Sequence, residues 1–136
     1  SSEWRGTEPV DVIYGHDLLN PKERAELLRR REQEKPDLLV MAPPCGPWSQ
    51  WQLLNDPELV DAKRKLHLPF WTLVRQLWDG QTRDGLLALT EQPYTSQALQ
   101  LKIMKERLQL YSAEVFQCRF GLCDPVSRRP FRKRAT

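Results

Sequence analysis

Two short apolar runs, DLLVMA at residues 37–42 and GLLALT at 85–90, flank a long stretch whose apolar residues recur at helical spacing, DPELVDAKRKLHLPFWTLVRQLWDG at 56–80. Continuous apolar runs of this length read as strands covered on both faces. Parallel strands need a long crossover between them, and a helix supplies it. This spacing predicts a parallel α/β arrangement.

The flanking sequence extends the pattern. In PVDVIYGHDLL the run Val10 to Tyr14 stops at Gly15 and reads as a short buried strand. NPKERAELLRRREQEK offers Asn20 as N-cap, Pro21 at the first helical position, and an apolar stripe of Ala25, Leu27 and Leu28, with Pro36 ending the helix. Within 56–80, Asp56 and Pro57 open a helix that Pro69 kinks or divides, and Trp71, Leu73, Val74, Leu77 and Trp78 form its apolar face, ending at Gly80. TSQALQLKIMKERLQ reads as a helix capped by Thr95 or Ser96, and YSAEVFQCRFGL as a final strand. The expected fold is a doubly wound parallel sheet with helices on both faces, one domain over residues 1–125, followed by a basic segment 126–136. Ligands of such sheets sit at the carboxyl ends of the strands. Gly15-His16-Asp17, Pro43-Pro44-Cys45 and Glu91-Gln92-Pro93 all fall at predicted strand ends, so they are expected to converge.

Composition narrows the class. At 136 residues, with 40% hydrophobic and 29% charged residues, the chain suits one soluble domain. No apolar stretch approaches the ~20 residues of a membrane span, and the N-terminus lacks the layout of a secretory signal. Three cysteines, Cys45, Cys118 and Cys123, form an odd set without paired spacing. That favours a reducing, intracellular compartment, nucleus or cytoplasm, and argues against structural zinc. Five of the 21 basic residues and none of the 18 acidic ones lie in 126–136, namely Arg128, Arg129, Arg132, Lys133 and Arg134. A block of this kind either meets phosphate or simply solubilises an end.

The most constrained segment is EKPDLLVMAPPCGPWSQWQ, residues 34–52. An inert, packed thiol is the ordinary fate of a free cysteine. Cys45, however, stands at a strand end on a loop stiffened by Pro43, Pro44 and Pro47, and orientation is a large part of what a nucleophile contributes. No activating histidine adjoins it, so a Cys-His hydrolase dyad has little support. Trp48 and Trp51 either join the core or offer faces on which bases stack.

PDLLVMAPPCGPWS resembles the Pro-Cys motif of DNA cytosine-5 methyltransferases, with Cys45 at the nucleophile and Ser49 at the following serine. LLALTEQP is similar to that family's Glu-Asn-Val motif, with Glu91 as the acid. VDVIYGHDL resembles the Gly-Asp segment ahead of the catalytic strand, and FQCRFGL, through Gln117 and Arg119, the later Gln-Arg-Arg motif. The pattern is most similar to divergent domains of phage and retroelement polyproteins. The resemblance implies a methyltransferase-type, Rossmann-like fold and methyl transfer from S-adenosylmethionine through a cysteine–C6 adduct of cytosine. Cys45, Glu91 and Ser49 would be catalytic, Asp17 and Pro43 would face the cofactor, and Arg119, Arg128, Arg129, Arg132, Lys133 and Arg134 would face nucleic acid, DNA in that family. The chain departs from the family in lacking a Gly-rich loop after a first strand, in Gly-Pro-Trp after Cys45, and in Gln92 beside Glu91. The expectation is therefore an incomplete or degenerate methyltransferase, part of a larger polypeptide or a reduced descendant. The alternative is a non-catalytic nucleic-acid-binding module on the same scaffold.

Overall fold

The computed structural model describes residues 3, 5–108, 112–121, 123–129 and 134–136, the side chains of 107, 108, 118, 120 and 134 excepted. Helix α1 spans Pro21–Glu34. The Asn20 side chain accepts the Lys22 N–H at 2.9 Å, and Lys35, in the left-handed region at φ 41, closes the far end with its N–H on the Arg31 carbonyl. Strand β1 (Leu38–Met41) follows, and helix α2 (Pro57–Arg83) leads back to strand β2 (Leu87–Thr90). The strands pair in parallel, Leu38 opposite Leu87 through Met41 opposite Thr90. Helix α3 (Lys102–Leu108) and a short antiparallel pair, β3 (Val115–Phe116) with β4 (Arg134–Ala135), complete the chain. The molecule is a small α/β protein with a two-strand parallel sheet packed against helices. Among the described residues, no helix is long and apolar enough to cross a membrane.

Several expectations are corrected. Residues Val12–Tyr14 form an exposed 3-10 turn, not a buried strand. The Asp11 carboxylate accepts the Ile13 N–H at 3.1 Å and Gly15, at φ 86, closes the turn, so local bonds satisfy backbone that a sheet would otherwise have paired. The sheet is covered on one face only: Leu39, Met41 and Ala88 join the core, whereas Val40, Leu87 and Leu89 are exposed. Among the described residues β3 pairs with β4, not with the parallel sheet. Ala25 is exposed while Leu27 and Leu28 pack inward.

Pro69 does not divide α2, which runs unbroken for 27 residues and past Gly80. An interior proline costs ~3 kcal/mol. Burial of Trp71, Leu73, Val74 and Leu77 along the same helix offsets it, at about 1.5–3 kcal/mol for each such side chain. Trp48 meets Trp71 edge to face, centroids 5.9 Å apart, which ties the cysteine loop to this core. The helix expected over 95–109 is split. Ser96 caps a 3-10 turn at Gln97–Gln100, Leu101 is extended at ψ 131, and α3 begins at Lys102. The break lets Ala98 and Met104 both reach full burial.

The amino ends of β1 and β2 are fixed by one buried glutamine and one buried arginine. Gln81 donates from Nε2 to the carbonyls of Pro36 and Leu87, both at 2.8 Å, and accepts from Arg31 Nε at 2.8 Å. Arg31 also donates to the Gly80 carbonyl at 2.7 Å and pairs with Glu32 and Asp84. A Cβ at Gly80 would lie 3.0 Å from Arg31 Nη1, a close approach that would press the guanidinium from its place. The Arg83 guanidinium, seconded by Arg31, holds the Glu32 and Asp84 carboxyls below the usual range.

Candidate functional site

The carboxyl ends of the same strands bear Cys45 and Glu91. Glu91 extends the ladder by donating its N–H to the Met41 carbonyl at 2.9 Å. The next residue, Gln92, is 1% exposed and donates from Nε2 to the Pro43 carbonyl at 2.6 Å and the Glu91 carbonyl at 3.0 Å. The cysteine loop is thus pinned to the end of β2. Cys45 lies two residues past Pro43, a reach of at most about 7 Å along the chain. Its thiol is free and half-buried. Cys45 also opens the 3-10 turn Gly46–Trp48, whose Trp48 N–H returns to the Cys45 carbonyl at 2.9 Å.

The loop beyond is held from two sides. Gln52 Nε2 donates to the Gly46 carbonyl at 2.8 Å, and Arg64 Nε on α2 donates to the Pro47 carbonyl at 2.9 Å. Ser49 accepts the Trp51 N–H at 3.3 Å and so caps the turn Gln50–Leu54. Of the two tryptophans, Trp48 is core and Trp51 is 69% exposed. Glu91 Oε1 is buried without a hydrogen-bond partner. A buried carboxylate oxygen left unpartnered is costly in a folded protein, and the hydroxyls of Thr90 and Thr136 beside it are buried without partners too.

The structure therefore joins Pro43 and Glu91 through the Gln92 side chain and places Cys45 in the loop so held. The first of the three predicted signatures stands apart. Asp17 is exposed in the turn before α1, its carboxylate accepting the Leu19 N–H at 2.9 Å and its own N–H donating to Glu23 at 2.6 Å. Among the described residues no strand precedes it to align it with β1 and β2, because Val12–Tyr14 is a turn. The basic residues are only partly gathered. Arg119 is exposed with its guanidinium 5.8 Å from the Phe116 ring centroid. Arg128 and Arg129 are exposed on a turn whose root is Asp124. Backbone donors from Ser127 and Val126 hold the Asp124 carboxyl below its ordinary range. Arg132 and Lys133 lie outside the described residues, and Arg134 is described by its backbone in β4.

The end of the basic segment is built into the fold. Gln92 and Thr136 exchange both backbone hydrogen bonds at 2.8 Å, and Ala135 is buried and bridges Pro93. A groove of about 590 Å³ lies beside the cysteine loop, lined by Trp48, Arg64, Lys65, Leu68, Gln97 and Leu101 among others. Cys45 and Glu91 are not among its walls, so it adjoins the site without containing it. Among the described residues, no three His, Cys, Asp or Glu side chains are grouped to hold a metal.

Sequence reasoning missed the roles of Gln92 and Arg64. The signal for Gln92 was a polar residue locked between an acid and a proline at a strand end; for Arg64 there was none. No protein-family model, curated protein or solved structure matches the chain.

Proposed function

We propose that this chain is a nucleic-acid-binding domain on a reduced scaffold of the DNA cytosine-5 methyltransferase type, engaging an unstacked pyrimidine through Cys45 and Glu91. The β1–α2–β2 unit would be the catalytic-strand portion of that family's doubly wound sheet. One observation carries the reading: Gln92 ties the Cys45 loop to the strand end bearing Glu91, whose Oε1 is buried and unpartnered. Nucleophile and acid on adjacent strand ends surround one place where a base can sit. The Cys45 thiolate adds to C6 of cytosine, its proton having passed to solvent. The displaced π pair moves to N3, where the Glu91 carboxyl stabilises it through a shared proton. Reversal restores thiol and base. Extruding the base costs a few kcal/mol, and exposed Trp51, Arg119, Arg128 and Arg129 are the groups available to meet neighbouring bases and phosphates.

S-adenosylmethionine supplies the methyl group when bound in the family. The two residues assigned to it here do not fit. Asp17 lies on an exposed turn with its carboxylate closing that turn, and the Pro43 carbonyl is taken by Gln92. The proposed function is accordingly base engagement without methyl transfer by this chain alone.

A duplex carrying 5-azacytosine, whose C6 traps a thiolate without a methyl donor, tests the reading. The full chain should form a covalent adduct and Cys45→Ser none; an undiminished adduct in the variant would assign the nucleophile elsewhere. Calorimetric titration with S-adenosylmethionine should give no heat. Binding, which at 100 times Kd stabilises a fold by about 2.7 kcal/mol, would restore the methyltransferase reading.

A further inference from the structure

Every polar group of Gln92 is engaged. Its backbone N–H and carbonyl both bond to Thr136, Nε2 serves the Pro43 and Glu91 carbonyls, and Oε1 accepts from Ser96 Oγ at 3.0 Å. An amide whose NH2 must face two carbonyls while its oxygen faces a hydroxyl has one orientation available. Buried at 1% exposure, it cannot exchange these partners for water. Three segments meet at this residue: the cysteine loop, the Glu91 strand end, and residues 134–136 at the far end of the basic segment.

The contact with residues 134–136 is more than a single bond. Ala135 is 3% exposed, bridges Pro93 and pairs with Val115, while Arg134 pairs with Phe116. Five residues upstream of Arg134, Arg129 is exposed on the Asp124 turn. Thr136 thus holds the backbone of the residue whose side chain holds the cysteine loop.

We infer that Gln92 is the positioning residue of the Cys45–Glu91 site and that the backbone of Ala135 and Thr136 sets it from the other side of the β2 end. The inference deepens the pyrimidine-engaging reading and rests on it for its consequence in adduct formation. Its geometric part concerns Cys45 alone.

The experiment uses the full chain and two readouts. One is the rate at which iodoacetamide alkylates Cys45, resolved by peptide mass spectrometry in the absence of nucleic acid. The other is adduct formation with the 5-azacytosine duplex, separated into Kd and the rate at saturation. Gln92→Ala should alter Cys45 alkylation by more than about threefold and lower the saturated adduct rate by about tenfold or more, the scale of a misplaced reacting group. Kd should stay unchanged. Thr136→Pro removes a single N–H from the Gln92 carbonyl and should act in the same direction, more weakly. It also serves as the informative variant if Gln92→Ala does not fold. Arg128→Glu with Arg129→Glu should instead weaken Kd and leave the saturated rate alone. Unchanged alkylation of Cys45 in folded Gln92→Ala and Thr136→Pro would overturn the inference. A wild-type chain that forms no adduct, yet shows Gln92-dependent alkylation, would sink the pyrimidine reading and uphold the positioning role.

Discussion

The two ends of the parallel pair are built alike and used differently. Each is closed by a buried glutamine whose Nε2 donates to two carbonyls, one from each strand's flank: Gln81 to Pro36 and Leu87, Gln92 to Pro43 and Glu91. At the amino end every charge near the glutamine is answered, with Arg31 meeting Gly80, Gln81, Glu32 and Asp84. At the carboxyl end the neighbouring acid has an oxygen without a partner, and the neighbouring thiol is free. The difference teaches where the fold spends its polar partners and where, on the proposed function, it withholds them. One end is tied by ion pairs and holds the sheet; the other fixes its backbone but leaves Glu91 Oε1 and the hydroxyls of Thr90 and Thr136 without partners and the Cys45 thiol free.

This contrast can be broken in order of size. Gln81→Ala strands the Pro36 and Leu87 carbonyls and Arg31 Nε together, and each unsatisfied buried group costs about 1–3 kcal/mol. A loss of about 3 kcal/mol or more is expected, read as a melting temperature roughly 10 °C lower. A shift within a degree or two would mean that the amino end is not the anchor. Gly80→Ala follows. Helix propensity alone would favour alanine by up to about 1 kcal/mol. Arg31, held by several partners, cannot move from the new Cβ, so the variant should melt below wild type; a rise would show that Arg31 gives way.

Acid should act on the same end. The Glu32 and Asp84 carboxyls are held below their ordinary values, so their contribution is complete above about pH 5 and is lost as pH falls through the lowered values. Melting temperature should therefore fall in that window, and by less in Glu32→Gln. The effect is modest because the Arg83–Glu32 pair is largely exposed. Smallest of all, Glu91→Gln replaces a carboxyl whose buried oxygen has no partner. Stability should stay level or rise by a few tenths of a kcal/mol while the adduct disappears, the signature of a group kept for function. A destabilised Glu91→Gln would make that carboxylate structural and erase the contrast.

Much of the scaffold was legible because it rests on local rules. Asn20 and Asp56 as caps, Pro21 and Pro57 at helix starts, and both central strands stand where propensity and period place them. The first strand was misread because Val12, Ile13 and Tyr14 are apolar in composition yet carry their own cap at Asp11, and a strand also needs a neighbour that no local pattern reveals. Pro69 misled for the opposite reason: packing of the Trp71 face outweighs a strong local breaker. The pairing of the Cys45 loop with Glu91 was legible as two strand ends. What joins them was not, since a glutamine reaching across 49 residues leaves no periodic trace.

The placement of α2 also dictates an order of assembly. Leu38 meets Leu87 only across the whole of a 27-residue helix, about 40 Å long when formed. Contacts this distant in sequence carry a loop-closure cost that a preformed helix shortens. The strands can thus zip only once α2 lies along them, and Arg134–Thr136 can add only after β2 has delivered Gln92. Substitutions buried on α2 should slow refolding, whereas those at Ala135 or Thr136 should chiefly hasten unfolding, a division that stopped-flow chevrons would expose. The carboxyl end of the sheet is on this account the last part of the molecule to be completed and the first to come undone.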